Sequence, residues 1–411
     1  MKKLLLFLLL VICCHGMVNA QNAEPLYYQG IVDSLYSEIL HETRHFYIYE
    51  PQSTRQLEMA ETEHPVLYLL DANSQFALTS QIVKNLSFDA IPSMLIVSIL
   101  NTNRTRDLTP THVPSDPSGF NLSQSGGGDM FLDFIEKELI PYIDQNYSTT
   151  PYRTFIGHSL GGLLSGYALA TRPHLFNNVI SLDPTSTWDD ELMYRSLKET
   201  GDKGGLAGKG YVLAVADPEP TGDKIIDSLL TTFRIPNDKM AGYLDQVEGL
   251  DFQFKNYPKG NHTDMVIPGT YDGLKFLFSW YADLNQQMID AADPFISKDL
   301  SDEELIARIE EIHRQMSDHF GYQVLPKEDM INSLGYWSLQ AGSMSRSKLL
   351  FEMNIANYPE SANVYDSMGD YYLAADQPQE AARFFREALK RDENPGTRAK
   401  LEQIENKGSN E

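Results

Sequence analysis

One short segment constrains the fold of this chain more than any other, the G-x-S-x-G pentapeptide Gly157-His158-Ser159-Leu160-Gly161. A short apolar run, Thr154 to Ile156, precedes it, and residues of helical periodicity, Leu163 to Leu169, follow it. A strand, a sharp glycine-rich turn and a helix in this order predict a nucleophile elbow, in which the serine projects above a sheet. The alternative is a glycine-rich strand-to-helix turn that carries no chemistry.

Strand-length apolar runs alternate with helical patterns between about Tyr28 and Trp280. That order is typical of an α/β fold, in which helices cover both faces of a mostly parallel sheet. The run from Val66 to Leu70 lacks polar alternation, as expected for a strand that is buried on both faces. The clearest helix is Met130 to Ile143, with Asp129 available as its cap. The other predicted strands are 46–49, 94–99, 154–156, 179–182, 211–216 and 252–257.

The sequence changes character after Trp280, where strand-like runs disappear and helical patterns continue to the end. Leu334-Gly335 and Met368-Gly369 lie 34 residues apart, which is the period of tetratricopeptide repeats. We therefore predict a small all-α repeat domain over residues 294–411, with two degenerate repeats. Such a region is expected to dock against the preceding domain or against a protein partner.

The N-terminus has the pattern of a secretory signal peptide. Lys2 and Lys3 precede an apolar run, and Val18, Asn19 and Ala20 form a small-residue cleavage site. The alternative is a membrane anchor, but the apolar run is shorter than the ~20 residues that span a bilayer. Residues 1–20 are thus predicted to be removed, which leaves a secreted or periplasmic protein with no membrane insertion. Both cysteines lie in this segment, so thiol catalysis and disulfides are not expected.

Composition limits the classes of ligand. The formal net charge is −24, which repels phosphate backbones and anionic lipid surfaces, so nucleic-acid binding is not expected. The sequence has no H-E-x-x-H motif, no Walker phosphate loop and no EF-hand loop. We expect neither a metal nor a cofactor.

A serine nucleophile needs a base that takes its proton. In the chain order typical of nucleophile elbows, that base is a histidine that follows the serine. The C-terminal helical patterns contain two of the four candidates, and a third ends the helix of the elbow itself. His262 stands instead in a polar loop after a predicted strand, so we predict that it is the base. The histidines excluded in this way are His174, His313 and His319.

The third member of a triad is a carboxylate at the end of a sheet strand, where it holds the imidazole in the required tautomer. Asp217 directly ends the predicted strand Tyr211 to Ala216, and we prefer it for this role. Glu219 is the first alternative, and Asp183, which ends the preceding strand, is the second. A dyad without an acid is a further possibility.

Two further positions follow from the chemistry of acyl transfer, which needs N–H donors for an oxyanion. The backbone of Leu160, directly after the nucleophile, gives the first donor. The second is expected in the loop after the strand at Val66, where we choose Asn73 with Ala72 close behind. Trp188 is a candidate pocket residue, although an ordinary packing role explains it equally well.

Several of these segments together resemble the Putative esterase family of the α/β-hydrolase fold, in particular its enterochelin-esterase-like and esterase D-like branch. The resemblance covers roughly residues 28–282. It implies hydrolysis of carboxylic esters by Ser159 and His262 without a cofactor, and it places Arg106 in the substrate pocket. The matching segments are Tyr68 to Asp71, Asn103 to Pro110, Phe131 to Ile143, Gly157 to Gly162, and His262 with Tyr271 to Phe276.

We therefore predict a catalytic domain over residues 25–290, and the resemblance implies a small-molecule ester as substrate. Relatives often read Ser-Pro-Ser-x-Trp where this chain has Asp183 to Trp188, so the pocket here gains a carboxylate. The resemblance does not select between siderophore lactones and simple acyl or feruloyl esters. Two other functions stay open, an inactive scaffold whose repeat domain binds proteins, and an acyltransferase or peptidase that uses the same triad.

Overall fold

The computed structural model describes residues 30–51, 63–114, 122–292 and 300–408. The predicted signal peptide, residues 1–20, lies outside these ranges, as does the predicted domain boundary near Asp293. From Ile31 onward the described residues form one compact unit.

Within the described residues, eight strands form one sheet in the order β1-β2-β4-β3-β5-β6-β7-β8. β1 and β2 pair antiparallel, as do β2 and β4, and all other neighbours are parallel. This arrangement confirms the predicted mostly parallel sheet. The strands are β1 Ile31–Ser37, β2 Glu42–Tyr49, β3 His64–Leu69, β4 Leu95–Ile99, β5 Thr149–His158, β6 Asn178–Leu182, β7 Gly210–Asp217 and β8 Asp251–Pro258.

Strand β3 shows why the central strands lack polar alternation. Val66 and Tyr68 point into a core on one face of the sheet, whereas Leu67 and Leu69 point into a second core on the other face. Helices cover both faces, so every position of the strand except its first residue is buried. The edge strand β1 was not predicted, because it is mostly exposed and mixes polar with apolar residues.

Helices follow most strands, and among the described helices none is long and apolar enough to cross a membrane. The predicted helix at Met130 begins earlier, at Gly128, and passes through a π-helical turn at Ile135–Leu139. Gly127 occupies its cap, so Asp129 lies in the first turn and does not cap the helix. The helices are α1 Ala72–Leu86, α2 Arg104–Asp107, α3 Gly128–Phe134, α4 Ile140–Asn146, α5 Leu160–Thr171, α6 Trp188–Asp202, α7 Lys224–Leu244, α8 Val266–Leu277, α9 Ser279–Ala292, α10 Asp302–Phe320, α11 Glu328–Gln340, α12 Met344–Asn357, α13 Ala362–Ala374, α14 Pro378–Arg391 and α15 Pro395–Gly408.

Helix α10 shares a hydrophobic core with the sheet. The ring of Phe320, at the end of α10, lies 5.0 Å from that of Tyr152 on β5 and 4.9 Å from that of Trp280. Phe320 is buried, and the apolar stripe of α10 joins the cluster that contains Ile156 and Ile180. The C-terminal helices are therefore anchored on the α/β part through α10.

Among the described residues, four of the five helices that follow α10 form two similar hairpins, α11 with α12 and α13 with α14. A Cβ atom on Gly335 would lie 2.4 Å from the ring of Phe351, and a Cβ on Gly369 would lie 2.4 Å from the ring of Phe385. Both glycines thus let an aromatic ring pack against the helix backbone. The same contact recurs at the 34-residue spacing that the sequence analysis identified.

Candidate active site

The turn between β5 and α5 has the strained geometry of a nucleophile elbow. Ser159 has φ 61° and ψ −119°, in a region that residues with a side chain rarely adopt. Its backbone N–H donates to the carbonyl of Leu182 at the end of β6, at 2.9 Å. A Cβ atom on Gly157 would lie 2.0 Å from the carbonyl oxygen of Gly161, so only glycine fits at this position. The chain thus holds Ser159 at the carboxyl edge of the sheet.

His262 meets a carboxylate at the same edge. Its Nδ1 lies 2.6 Å from Oδ2 of Asp183, the residue that follows β6. The other oxygen of Asp183 accepts the backbone N–H of Ala216 at 3.1 Å, which fixes the orientation of the carboxylate. Because an ionised carboxylate only accepts, Nδ1 of His262 carries the proton, and in the neutral imidazole the lone pair lies on Nε2. That tautomer is the one a general base for serine needs.

The two acids preferred from the sequence lie elsewhere. Asp217 pairs with the guanidinium of Arg234 and accepts from Asn256 Nδ2 at 3.1 Å. Glu219 is exposed and pairs with Lys259 at 2.8 Å. The carboxylate that touches the imidazole is Asp183, the second alternative to Asp217, so the geometry favours Asp183 as the acid. Chain order did not separate them, because β6 and β7 are parallel neighbours that end at one edge.

The starts of two helices meet beside Ser159. Helix α5 begins at Leu160, and α1 begins at Ala72 after Asp71, which has the left-handed φ of 56°. A Cβ on Gly161 would lie 3.3 Å from Oδ2 of Asp71, so the two helix starts are in contact. N–H groups in the first turn of a helix have no acceptor within the helix. The candidate donors Leu160, Ala72 and Asn73 therefore belong to adjoining helix starts.

Asp71 is held by a cluster that the sequence analysis did not identify. Arg104 binds both its oxygens, at 2.7 and 2.9 Å, and Asn101 donates to Oδ1 at 2.7 Å. Arg104 also donates to the carbonyl of His158 at 3.2 Å. Because the Asp71 side chain is buried, this pairing compensates its charge. The sequence could have indicated this cluster. Asn101 and Arg104 follow β4, Asp71 follows β3, and these two strands are parallel neighbours whose carboxyl ends lie at the same edge of the sheet.

Both predicted pocket residues form polar contacts within the protein. Arg106 lies in an ion network, 2.6 Å from Glu42 and 2.7 Å from Asp107. Its hydrogen bond to Glu42 raises the pKa of Arg106 further and lowers the pKa of Glu42. Trp188 is only 6% exposed, and its indole N–H donates to Thr111 at 3.1 Å. Both residues thus have structural partners.

The histidine of the elbow motif, His158, touches the predicted base. The ring centroids of His158 and His262 lie 4.5 Å apart, and Nε2 of His158 lies 2.7 Å from the carbonyl oxygen of His262. Burial lowers the pKa of His158, and the positive charge of a protonated His262 lowers it further. The sequence analysis treated this position only as a variable residue of the motif.

The loop that carries His262 is closed by its own side chains. Asp264 accepts the backbone N–H of Asn261 at 2.7 Å, and Asn261 accepts the backbone N–H groups of Thr263 and Asp264. Within the described residues, the Ser159 hydroxyl and Nε2 of His262 form no hydrogen bond with another group. Catalytic hydrogen bonds are often long without substrate and shorten when it binds.

Comparisons with known proteins find similarity to esterases. The profile of the family described as Putative esterase matches residues 37–210. A ferri-bacillibactin esterase of Bacillus subtilis is 32% identical over 148 residues, which is 32% of this chain and 51% of that protein. A siderophore triacetylfusarinine C esterase of Aspergillus fumigatus is 31% identical over 147 residues, 33% of this chain and 48% of that protein. The chain thus spans about half the length of the curated relatives it matches.

Two solved structures have the same fold. An IroE-like serine hydrolase from Shewanella oneidensis superposes with a TM-score of 0.61 at 30% identity, over 79% of this chain and 98% of that one. A siderophore hydrolase from Aspergillus nidulans superposes with a TM-score of 0.51 at 19% identity, over 62% of this chain and 97% of that one. The second comparison concerns the fold alone.

Proposed function

This chain belongs to the Putative esterase family, and we propose that it is a serine esterase. It cleaves carboxylic esters through a triad of Ser159, His262 and Asp183. The observation that carries the proposal is the 2.6 Å contact between Nδ1 of His262 and Asp183, made at the sheet edge where the strained Ser159 lies. Strain at a serine and a carboxylate that orients a histidine together favour catalysis over a scaffold role.

The first half-reaction acylates the serine. Nε2 of His262 takes the proton of the Ser159 hydroxyl while Oγ forms a bond to the ester carbonyl carbon. Asp183 stabilises the imidazolium that results. The N–H of Leu160, with that of Asn73 or Ala72, donates to the oxyanion, and the positive ends of the two helices favour the same negative charge. The imidazolium then protonates the leaving alkoxide as its bond to carbon breaks.

The second half-reaction releases the acid. Water adds to the acyl-enzyme carbonyl while Nε2 of His262 takes its proton, and the same donors hold the second oxyanion. Collapse of this intermediate breaks the bond to Oγ, and the imidazolium returns a proton to Ser159. The triad is thereby restored, and no step draws on a metal or a cofactor.

The substrate class rests on the relatives and on exposure of the site. Two relatives are named for the siderophores whose esters they cleave, ferri-bacillibactin and triacetylfusarinine C. The His262 side chain is 55% exposed, so the base lies at an open surface that can admit a bulky ester. We therefore propose siderophore-type esters or other carboxylic esters as substrates, in a secreted or periplasmic protein. In that protein, residues 25–290 carry the chemistry and residues 294–411 pack on them or bind a protein partner.

A panel of esters tests this function. The purified protein is assayed on short-chain nitrophenyl esters, feruloyl esters and a siderophore trilactone, beside Ser159→Ala, His262→Ala and the control His174→Ala. His174 is exposed on the turn after α5, so its loss should leave turnover unchanged. We expect activity in the wild type and the control alone. Full hydrolysis by Ser159→Ala or His262→Ala would contradict the mechanism, and an inactive wild type would favour the scaffold.

A further inference from the structure

The turn that carries His262 is exposed, although its ends are held by the bond from Lys259 N–H to the Asp217 carbonyl and by the buried Met265. Asn261, His262, Thr263 and Asp264 are all exposed, and the hydrogen bonds between Asn261 and Asp264 shape the turn without tying it to the sheet. The imidazole contacts Asp183, but that bond holds the side chain of His262 and not its backbone. A base that must meet Ser159 in one geometry needs a second point of attachment.

His158 supplies that attachment. Its Nε2 lies 2.7 Å from the backbone carbonyl oxygen of His262, and because a carbonyl only accepts, Nε2 of His158 carries the proton and donates. The two rings lie against each other with centroids 4.5 Å apart. The donor therefore fixes the main chain of the residue whose side chain is the base.

His158 is itself rigid. It is the last residue of β5, paired with Leu182 of β6, and its carbonyl accepts from Arg104 at 3.2 Å. Arg104 in turn binds the buried Asp71 at the start of α1. A continuous set of contacts thus runs from the start of α1, which carries the second candidate oxyanion donor, through His158, to the turn of the base.

We propose that His158 is a positioning residue, which holds the His262 turn against the elbow through its Nε2–H and so fixes the base relative to Ser159. The proposal rests on the proposed esterase function. Nε2 of His158 cannot take the proton of Ser159, because that atom is engaged as a donor to a carbonyl. It acts on the reaction only through His262.

Three substitutions distinguish the effect of the His158 N–H donor from the effect of its ring. His158→Gln places an amide N–H near the position of Nε2, His158→Asn carries the same group one bond shorter, and His158→Phe keeps a ring without a donor. His174→Gln is the control, since that histidine is exposed and pairs with Glu136, away from the site. Each variant is assayed for kcat and KM on a small nitrophenyl ester, for the rate at which a fluorophosphonate labels Ser159, and for thermal unfolding.

We expect kcat and the labelling rate to fall about 10- to 100-fold in His158→Phe and His158→Asn, with KM within about twofold, because a misplaced base slows the chemical step and leaves substrate contacts intact. His158→Gln should keep at least about a third of both rates. Unchanged rates in His158→Phe, or equal losses in the Gln and Asn variants, would overturn the proposal. If His158→Phe unfolds, the comparison of the Gln and Asn variants decides. A wild type that neither turns over ester nor is labelled would contradict the esterase function itself.

Discussion

The Nδ1 atom of His262 lies 2.6 Å from Oδ2 of Asp183, although the two residues are 79 positions apart in the chain. The contact joins the loop after β8 to the end of β6, across β7. It leaves Nε2 of His262 as the atom that can take a proton. The acid of the proposed triad therefore follows β6, next to the strand that ends one residue before the serine.

The first prediction separates the two candidate acids. Asp183→Asn should lower kcat on a small ester by about 10² to 10⁴, because the amide no longer stabilises the imidazolium or its tautomer. Asp217→Asn is the matched control and should change kcat by less than about threefold, because Asp217 pairs with a partly exposed Arg234. A larger loss of kcat in Asp217→Asn than in Asp183→Asn would show that Asp217, at the end of β7, is the acid of the triad.

The second prediction concerns two arginines of one short helix. Arg104→Gln removes the ion pair with the buried Asp71 and should lower kcat about tenfold or more, because the helix start beside Ser159 loses its anchor. Arg106→Gln removes pairs with Glu42 and Asp107 and should destabilise the fold by about 1–3 kcal/mol with kcat unchanged. Urea unfolding and ester kinetics on both variants measure the difference. A raised KM in Arg106→Gln would indicate that Arg106 contacts the substrate, as the family resemblance implies.

The third prediction is a loss of stability in mild acid. Burial lowers the pKa of His313 below its ordinary value of 6.5, and burial does the same to His64. As the pH falls through about 6.5, the unfolded chain binds protons that the folded chain does not yet bind, so stability falls with pH. Thermal unfolding between about pH 7.5 and pH 5.5 should show this decline, with a smaller slope in His313→Asn. An unchanged slope in that variant would exclude His313 as a source, and His174→Asn is the exposed control.

The fourth prediction tests how the helical region is anchored. Phe320→Ala should destabilise the whole protein by about 3–5 kcal/mol, because its buried ring fills the space between α10, Tyr152 and Trp280. Trp337→Ala, on the exposed side of α11, should change stability by less than about 0.5 kcal/mol. Urea unfolding monitored by circular dichroism gives both values. Equal stabilities for the wild type and Phe320→Ala would show that α10 does not brace the sheet.

The fold could be predicted from the sequence because a strand that is buried on both faces of a sheet is an unbroken run of apolar residues. The apolar run at Val66 cannot belong to a half-exposed strand, and Gly157 permits the sharp turn before the serine. The edge strand Ile31–Ser37 was not predicted, since it is mostly exposed and mixes polar with apolar residues. The same local logic identified Ser159 and His262 as candidates.

The rest of the site depends on contacts between distant segments, which local patterns do not encode. Asp183 and Asp217 both end parallel strands, and only the path of the loop after β8 decides which one meets His262. Arg104 and Arg106 are two residues apart, yet one binds beside the elbow and the other lies in an ion network with Glu42. Tertiary packing therefore determines which carboxylate contacts His262 and which arginine lies beside the elbow.

Covalent labelling of the wild type tests the central claim most directly. The purified protein is treated with a fluorophosphonate, digested, and mapped by mass spectrometry, beside Ser159→Ala and His262→Ala. We predict one modified residue, Ser159, with labelling absent in Ser159→Ala and slowed at least about 100-fold in His262→Ala, because the hydroxyl reacts only when a base removes its proton. A wild type labelled at another serine, or at Ser159 with equal speed in His262→Ala, would contradict the account.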